Sequence, residues 1–140
     1  MGTIAEKQIE LIELYNGLDD SIMQYEFLLQ LAGEVPVPEA AEKSEGTKIH
    51  NCQTDSWFIM KQAEGRFYLN VDSDALLIRG VLSIFAYLLD GRRLDEILDT
   101  PIDFMEKTTV REQLSISRFS VLSKLPDMIY QFCKNQKNHK

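Results

Sequence analysis

Cysteine is scarce in this chain: Cys52 and Cys133 are the two in 140 residues. Two thiols so far apart in sequence do not make a thiolate-rich zinc site or hold an iron–sulfur cluster unaided, and nothing in the sequence points to an oxidising compartment in which they would pair. Any cysteine chemistry is therefore single-thiol chemistry. Basic residues are in deficit too: 15 Lys and Arg against 22 Asp and Glu leave a formal net charge of −7. Such a chain repels phosphate, and no helical segment carries a basic stripe, so nucleic acid and anionic membrane are poor partners. The basic tail Lys134–Lys140 is too short to alter that. Long apolar runs are missing, which excludes a membrane-spanning helix. The stretch from Met1 to Glu10 alternates polar and apolar residues and lacks a signal peptide's apolar core, so the expected location is the cytoplasm.

What remains is an ordinary globular composition, 44% hydrophobic and 26% charged, which fits one compact domain over residues 1–140. Thr3 with Glu6 reads as a capping box opening a helix, with Ile9, Ile12 and Leu18 at helical spacing and Leu11, Leu14 and Tyr15 widening its apolar face. Asp19 or Asp20 caps a second helix whose inward face is expected at Ile22, Tyr25, Leu29 and Ala32, with Gly33 ending it. Glu34 to Lys48, with Pro36 and Pro38, reads as a surface connector. The period then changes. Trp57 to Met60 suits a buried strand, and Ala63–Gly65 a hairpin turn. Phe67, Leu69 and Val71 are the inward residues of a second strand. A short strand at Lys48–His50 would complete a three-stranded antiparallel meander. Asp72-Ser73-Asp74 closes the sheet, with Asp74 as the cap of an almost wholly apolar helix from Ala75 to Leu89. Gly80 inside that helix suggests close packing, and Gly91 ends it. A short helix at Leu94–Leu98 precedes Pro101. The last helical region begins near Ser115 or Ser117, buries Leu122, Leu125, Ile129 and Phe132, and is kinked or restarted at Pro126. The order of elements predicts an α+β domain.

Cys52 is the leading candidate for chemistry, in the polar stretch His50-Asn51-Cys52-Gln53-Thr54. A cysteine in a loop presents its sulfur to a partner, whereas one within an element packs. Local context alone leaves both readings open. Nor does it decide the thiol's ionisation, because Lys48 and His50 are balanced by Glu45 and Asp55. His50 reads as a surface histidine. Cys133 follows Ile129 by one helical turn and reads as a packing residue. Trp57 and Phe58 read as core, and Arg118 as a solvated arginine or the partner of a carboxylate. His139 carries no signal.

The run Ile49-His50-Asn51-Cys52-Gln53-Thr54-Asp55-Ser56-Trp57 resembles the active-cysteine segment of the SufE/CsdE family. Asp72-Ser73-Asp74-Ala75 with Arg79-Gly80 resembles the family's second block, and Leu114-Ser115 through Ser117-Arg118 with Leu122 its third. The blocks fall in the family's order, and the likeness covers nearly the whole chain. The resemblance implies a SufE/IscU-like α+β fold, a small antiparallel sheet packed against helices. It implies a sulfur acceptor: the Cys52 thiolate takes the terminal sulfur of a persulfide on a cysteine desulfurase, stimulates that enzyme, and passes the sulfur toward an iron–sulfur scaffold. The pyridoxal phosphate belongs to the desulfurase, and the acceptor carries no cofactor or metal of its own. Asn51, Gln53, Asp74 and Arg118 are implied to support the loop or its docking, and the sulfur to lie in an apolar shelter when no partner is bound. The chain departs from the pattern in having Asn51 and Val121 where glycines are usual, and in having Pro126. Asn51 tolerates a positive φ, so the turn can survive. Two competing functions are a cluster scaffold, which needs about three clustered cysteines, and a regulatory adaptor that binds a desulfurase without taking sulfur.

Overall fold

The structure is a computed structural model, and it describes residues 2–51 and 53–138. Helices α1 (Ile4–Asn16) and α2 (Ser21–Glu34) lead into a 3-10 turn at Ala40–Glu42 and then a hairpin of β1 (Ser56–Ala63) and β2 (Arg66–Ser73). Helices α3 (Leu76–Leu89), α4 (Leu94–Leu98) and α5 (Phe104–Lys107), a 3-10 turn at Thr109–Gln113, and α6 (Ile116–Leu122) and α7 (Leu125–Asn138) follow. The architecture is α+β and mostly helical. No described helix is long and apolar enough to cross a membrane.

The expected three-stranded meander is a two-stranded antiparallel sheet, β1 against β2. The segment before β1 contributes only an isolated antiparallel bridge from Lys48 to Trp57. Its two ladder bonds run from Ile49 N–H to the Ser56 carbonyl and from Phe58 N–H to the Thr47 carbonyl, both 2.8 Å. The pairing stops because the chain turns on either side. Thr47 closes a turn onto the Ser44 carbonyl, and Asn51 has φ of 67°. Three residues between two turns are too few for a strand. Glu64 and Gly65, both with positive φ, make the two-residue hairpin turn and set the register Ala63↔Arg66 through Ser56↔Ser73.

Helix α3 is the centre. Eleven of its residues are buried, and α2, β2 and α1 pack against it. Its contact with α2 depends on Gly80, where an added Cβ would stand 2.2 Å from the Leu28 carbonyl oxygen. The capping box of Thr3 and Glu6 forms, and Asp20 caps α2 by accepting from Met23 N–H at 2.8 Å. The break at Pro126 is a restart: α6 ends at Leu122 and α7 begins at Leu125, which places the proline in the first turn, where a missing N–H is harmless.

Three expectations fail for stated reasons. The buried faces of α1 and α2 are Ile4, Gln8, Leu11 and Tyr15, and Gln24, Leu28 and Ala32. Leu11, Tyr15 and Ala32 face inward as expected, whereas Ile9 and Ile22 stand 56% and 66% exposed. Each true face contains a glutamine. Gln8 donates to the Pro101 carbonyl and accepts from the N–H groups of Asp103 and Phe104. Gln24 donates to the Tyr15 carbonyl and accepts from the Thr109 hydroxyl. A periodicity counted on apolar residues rotates both helices away from these polar anchors. Gly33 does not end α2, which runs on to Glu34; Pro36 forces Val35 into extended backbone and stops it there. Asp74 does not cap α3. The cap position is Ala75 with no side-chain bond, and the Ser73 hydroxyl accepts from Ala75 N–H at 3.2 Å instead.

Two stability predictions follow from this packing. By helix propensity, Gly80→Ala should stabilise α3 by about 1 kcal/mol. The approach of the Leu28 backbone reverses the sign, and urea unfolding should show a loss of at least about 2 kcal/mol. Cys133 has no exposed surface, and burial pushes its thiol from an ordinary 9.0 to about 11. Above pH 9 the unfolded chain loses this proton while the folded chain keeps it. This contribution is therefore full below pH 9 and is lost as the pH rises to 11, on the order of 1 to 3 kcal/mol. Tyr15, pushed up to about 12 by burial and by the Glu112 charge, adds a loss of the same sign at higher pH. Stability measured from pH 8 to 11 should fall in the parent protein and fall less in Cys133→Ala.

Candidate functional site

The polar loop between Lys48 and Ser56 projects from the end of the hairpin, and three kinds of bond hold its base. The backbone ladder at Ile49 and Ser56 closes it, and Lys48 Nζ lies 2.9 Å from Asp55 Oδ1 across it. The Asp55 bond and charge hold the Lys48 ammonium above its usual range, with Glu45 and Asp74 adding to the effect. The start of α3 ties in as well, because Asp74 N–H donates to the Asp55 carbonyl at 2.9 Å. Beneath the loop, the buried hydroxyls of Ser56 and Ser73 lie 2.8 Å apart, and the Ser56 hydroxyl also reaches the Thr54 carbonyl at 3.3 Å.

Ser73 in turn belongs to a buried ionic cluster. Its N–H donates to Asp72 Oδ1 at 2.8 Å, and the same oxygen accepts from Arg79 Nη1 at 2.7 Å. Lys43 pairs with the other oxygen and lies 4.7 Å from the centre of the half-buried Trp57 ring. Burial alone would raise the Asp72 carboxyl. The bonds from Lys43 and Ser73 and the charges of Lys43 and Arg79 outweigh it and hold the pKa below the ordinary value. Arg79 also donates to the Ala32 and Val35 carbonyls at 2.7 and 2.8 Å. An unbroken set of polar contacts thus links the end of α2, through Arg79, Asp72, Ser73 and Ser56, to the loop.

A cavity of about 170 Å³ adjoins the loop, lined on one side by Lys48, Ile49, His50 and Asn51 and on the other by Val121, Lys124, Leu125 and Met128. The α6–α7 corner therefore supplies the opposite wall. Of the residues that sequence reading singled out, Cys52 lies outside the described residues. Asn51 lines the cavity and adopts the positive φ its residue type permits. Gln53 and Asp74 are exposed and outside the cavity wall. Arg118 is half-buried, with no carboxylate partner among the described residues and no hydrogen bond to its Nε. Lys124, Leu125 and Met128 were not singled out as site residues. Their spacing with Val121 along one helical face was the available signal. Cys133 packs in the core, as its spacing predicted.

The sequence model of the SufE family, described as an Fe-S metabolism associated domain, matches residues 9–133. The chain belongs to the SufE family. Its fold is similar to the solution structure of a hypothetical protein from Thermus thermophilus, with a TM-score of 0.75 and 20% identity over 92% of this chain and 94% of that one. That likeness bears on the fold alone. Membership of the SufE family associates the chain with iron–sulfur metabolism, and the match spans both the loop and the Asp72–Arg79 cluster beneath it.

The cluster should separate two neighbouring carboxylates. Asp72→Asn leaves the buried Arg79 guanidinium without its anion and should lower stability by about 3 kcal/mol in chemical denaturation. Asp74→Asn, at an exposed position with no capping bond, should stay within about 0.5 kcal/mol of the parent.

Proposed function

We propose that this chain is a sulfur acceptor for a pyridoxal-phosphate cysteine desulfurase, with Cys52 as the carrier. The Cys52 thiolate attacks the outer sulfur of the desulfurase's cysteine persulfide. A new sulfur–sulfur bond forms on Cys52 as the old one breaks, and the desulfurase cysteine leaves as a thiolate that takes up a proton. The oxidation state of the sulfur is carried across, so no external oxidant or reductant is needed. The pyridoxal phosphate stays with the desulfurase. Delivery to an iron–sulfur scaffold follows by the same exchange, and the cytoplasm is the proposed setting.

The observation that carries this reading is the burial of Cys133. Its thiol is sealed in the core and pushed up to about 11, so at neutral pH it supplies almost no thiolate. With two cysteines in the chain, single-thiol chemistry falls to Cys52. Family membership supplies the metabolic setting. The cavity beside Asn51 supports the reading chemically, because a recess that limits access slows oxidation of a transferred sulfur. Asn51, Gln53, Asp74 and Arg118 are proposed as residues that support the loop or its docking.

Intact-mass analysis after incubation with a desulfurase and cysteine tests the proposal. One added sulfur is expected on the parent protein and on Cys133→Ser, and none on Cys52→Ser. Cys52→Ser should also lose stimulation of the desulfurase. Full stimulation by that variant would eliminate sulfur acceptance as its basis and leave a regulatory adaptor.

A further inference from the structure

Helices α1 and α2 both pack on α3 yet scarcely touch each other, apart from the edge-on contact of Tyr15 with Phe27 and the bond from Gln24 to the Tyr15 carbonyl. A hollow of about 250 Å³ lies between them, walled by Leu14 of α1 and by Phe27 and Leu31 of α2, with Tyr87 of α3 as its floor. Leu31 and Tyr87 also line a second hollow of about 230 Å³ that continues toward Pro36 and β2. The two form one groove with large apolar groups open to solvent: Leu14 is 55% exposed and Tyr87 49%. Apolar side chains aligned at this exposure mark an interaction surface.

Among the described residues, the charged groups that line the groove are acids. Glu10 lines the first hollow, and Glu34 and Asp90 line the second; neither is lined by a lysine or arginine. Lys7 stands 4.6 Å from the centre of the Tyr87 ring, so the aromatic floor already receives a positive charge. A gap between two helices, floored by a third, has the shape that takes a further helix at ordinary interaxial spacing. At helical rise the α1 wall from Glu10 to Leu14 spans roughly 6 Å and the α2 wall from Phe27 to Glu34 roughly 10 Å, enough for one to about two turns of an apolar face.

We infer that the groove between α1 and α2 receives an amphipathic helix of a partner protein whose apolar stripe is flanked by lysine or arginine. A second copy of this chain would bring acidic walls against acidic walls, and an anionic membrane would be repelled in the same way. The groove shares no lining residue with the cavity beside the Cys52 loop. The inference therefore stands apart from the sulfur-acceptor reading.

The test titrates the isotope-labelled full chain with two designed peptides of about 14 residues, one Leu/Lys and one Leu/Glu, sharing the same apolar stripe. The Leu/Lys peptide should shift amide signals around Leu14, Leu31 and Tyr87, and the Leu/Glu peptide should not. Affinity should fall at least tenfold in Leu14→Ser and in the Glu10→Gln, Glu34→Gln double variant. Ile116→Ser, at an apolar position 91% exposed on α6, should bind as the parent does, and so should Cys52→Ser. Equal binding of both peptides, shifts scattered over the acidic surface, or unchanged affinity in Leu14→Ser would overturn the inference. A concentration-dependent dimer abolished by Leu14→Ser, without peptide binding, would overturn it too and assign the groove to a second copy.

Discussion

Arg79 ties three parts of the chain together through its guanidinium and its own helix. It donates to two carbonyls at the end of α2 and to the Asp72 carboxylate at the end of β2, while its own backbone belongs to α3. An arginine this deeply placed is tolerable only because its charge is matched and its donors are directed at acceptors. Gly80, next in sequence, makes the arrangement possible. Its missing side chain lets the α2 backbone come close enough for the same arginine to reach the Ala32 and Val35 carbonyls. The Arg79-Gly80 pair is thus one device: the glycine sets the distance between α2 and α3, and the arginine binds the α2 end that the distance brings within reach.

The loop inherits its placement from that device. Asp72 is oriented by Arg79 and Lys43, Ser73 by Asp72, and Ser56 by Ser73. The polar contacts beneath the loop are buried, where each hydrogen bond is stronger and each unpaired group more damaging than at the surface. Above them the Lys48–Asp55 pair is partly solvated, and pairs of that kind contribute little. The loop therefore stands on a rigid base and is closed by a weak clasp. That combination suits a segment that must be placed accurately and still engage a partner.

The protein carries two candidate surfaces of different character. The loop and the α6–α7 corner form a small recess with cations and His50 at its wall. The α1–α2 groove is longer, apolar and rimmed by acids. The unequal charge of the surfaces is a basis for choosing between partners, since electrostatic complementarity governs encounter and orientation more than affinity.

Element type was legible in the sequence because it rests on local rules. The Thr3 capping box, the Asp20 cap, the turn at Glu64 and Gly65, the restart at Pro126 and the apolar continuity of α3 are each specified by neighbours within a few residues. The family resemblance was legible for the same reason, since its motifs are short and ordered. Tertiary structure decided which face each helix turns inward. Gln8 is buried because backbone groups far away in sequence satisfy it, and Gln24 because the Tyr15 carbonyl and the Thr109 hydroxyl do, and no local count of apolar residues registers such partners. It also decided that Lys48 makes a bridge and not a strand, that α3 starts at Ala75 without a side-chain cap from Asp74, and that Lys124 and Met128 face the loop. A hydrogen-bond partner supplied from across the fold is invisible to periodicity, which reads one segment at a time.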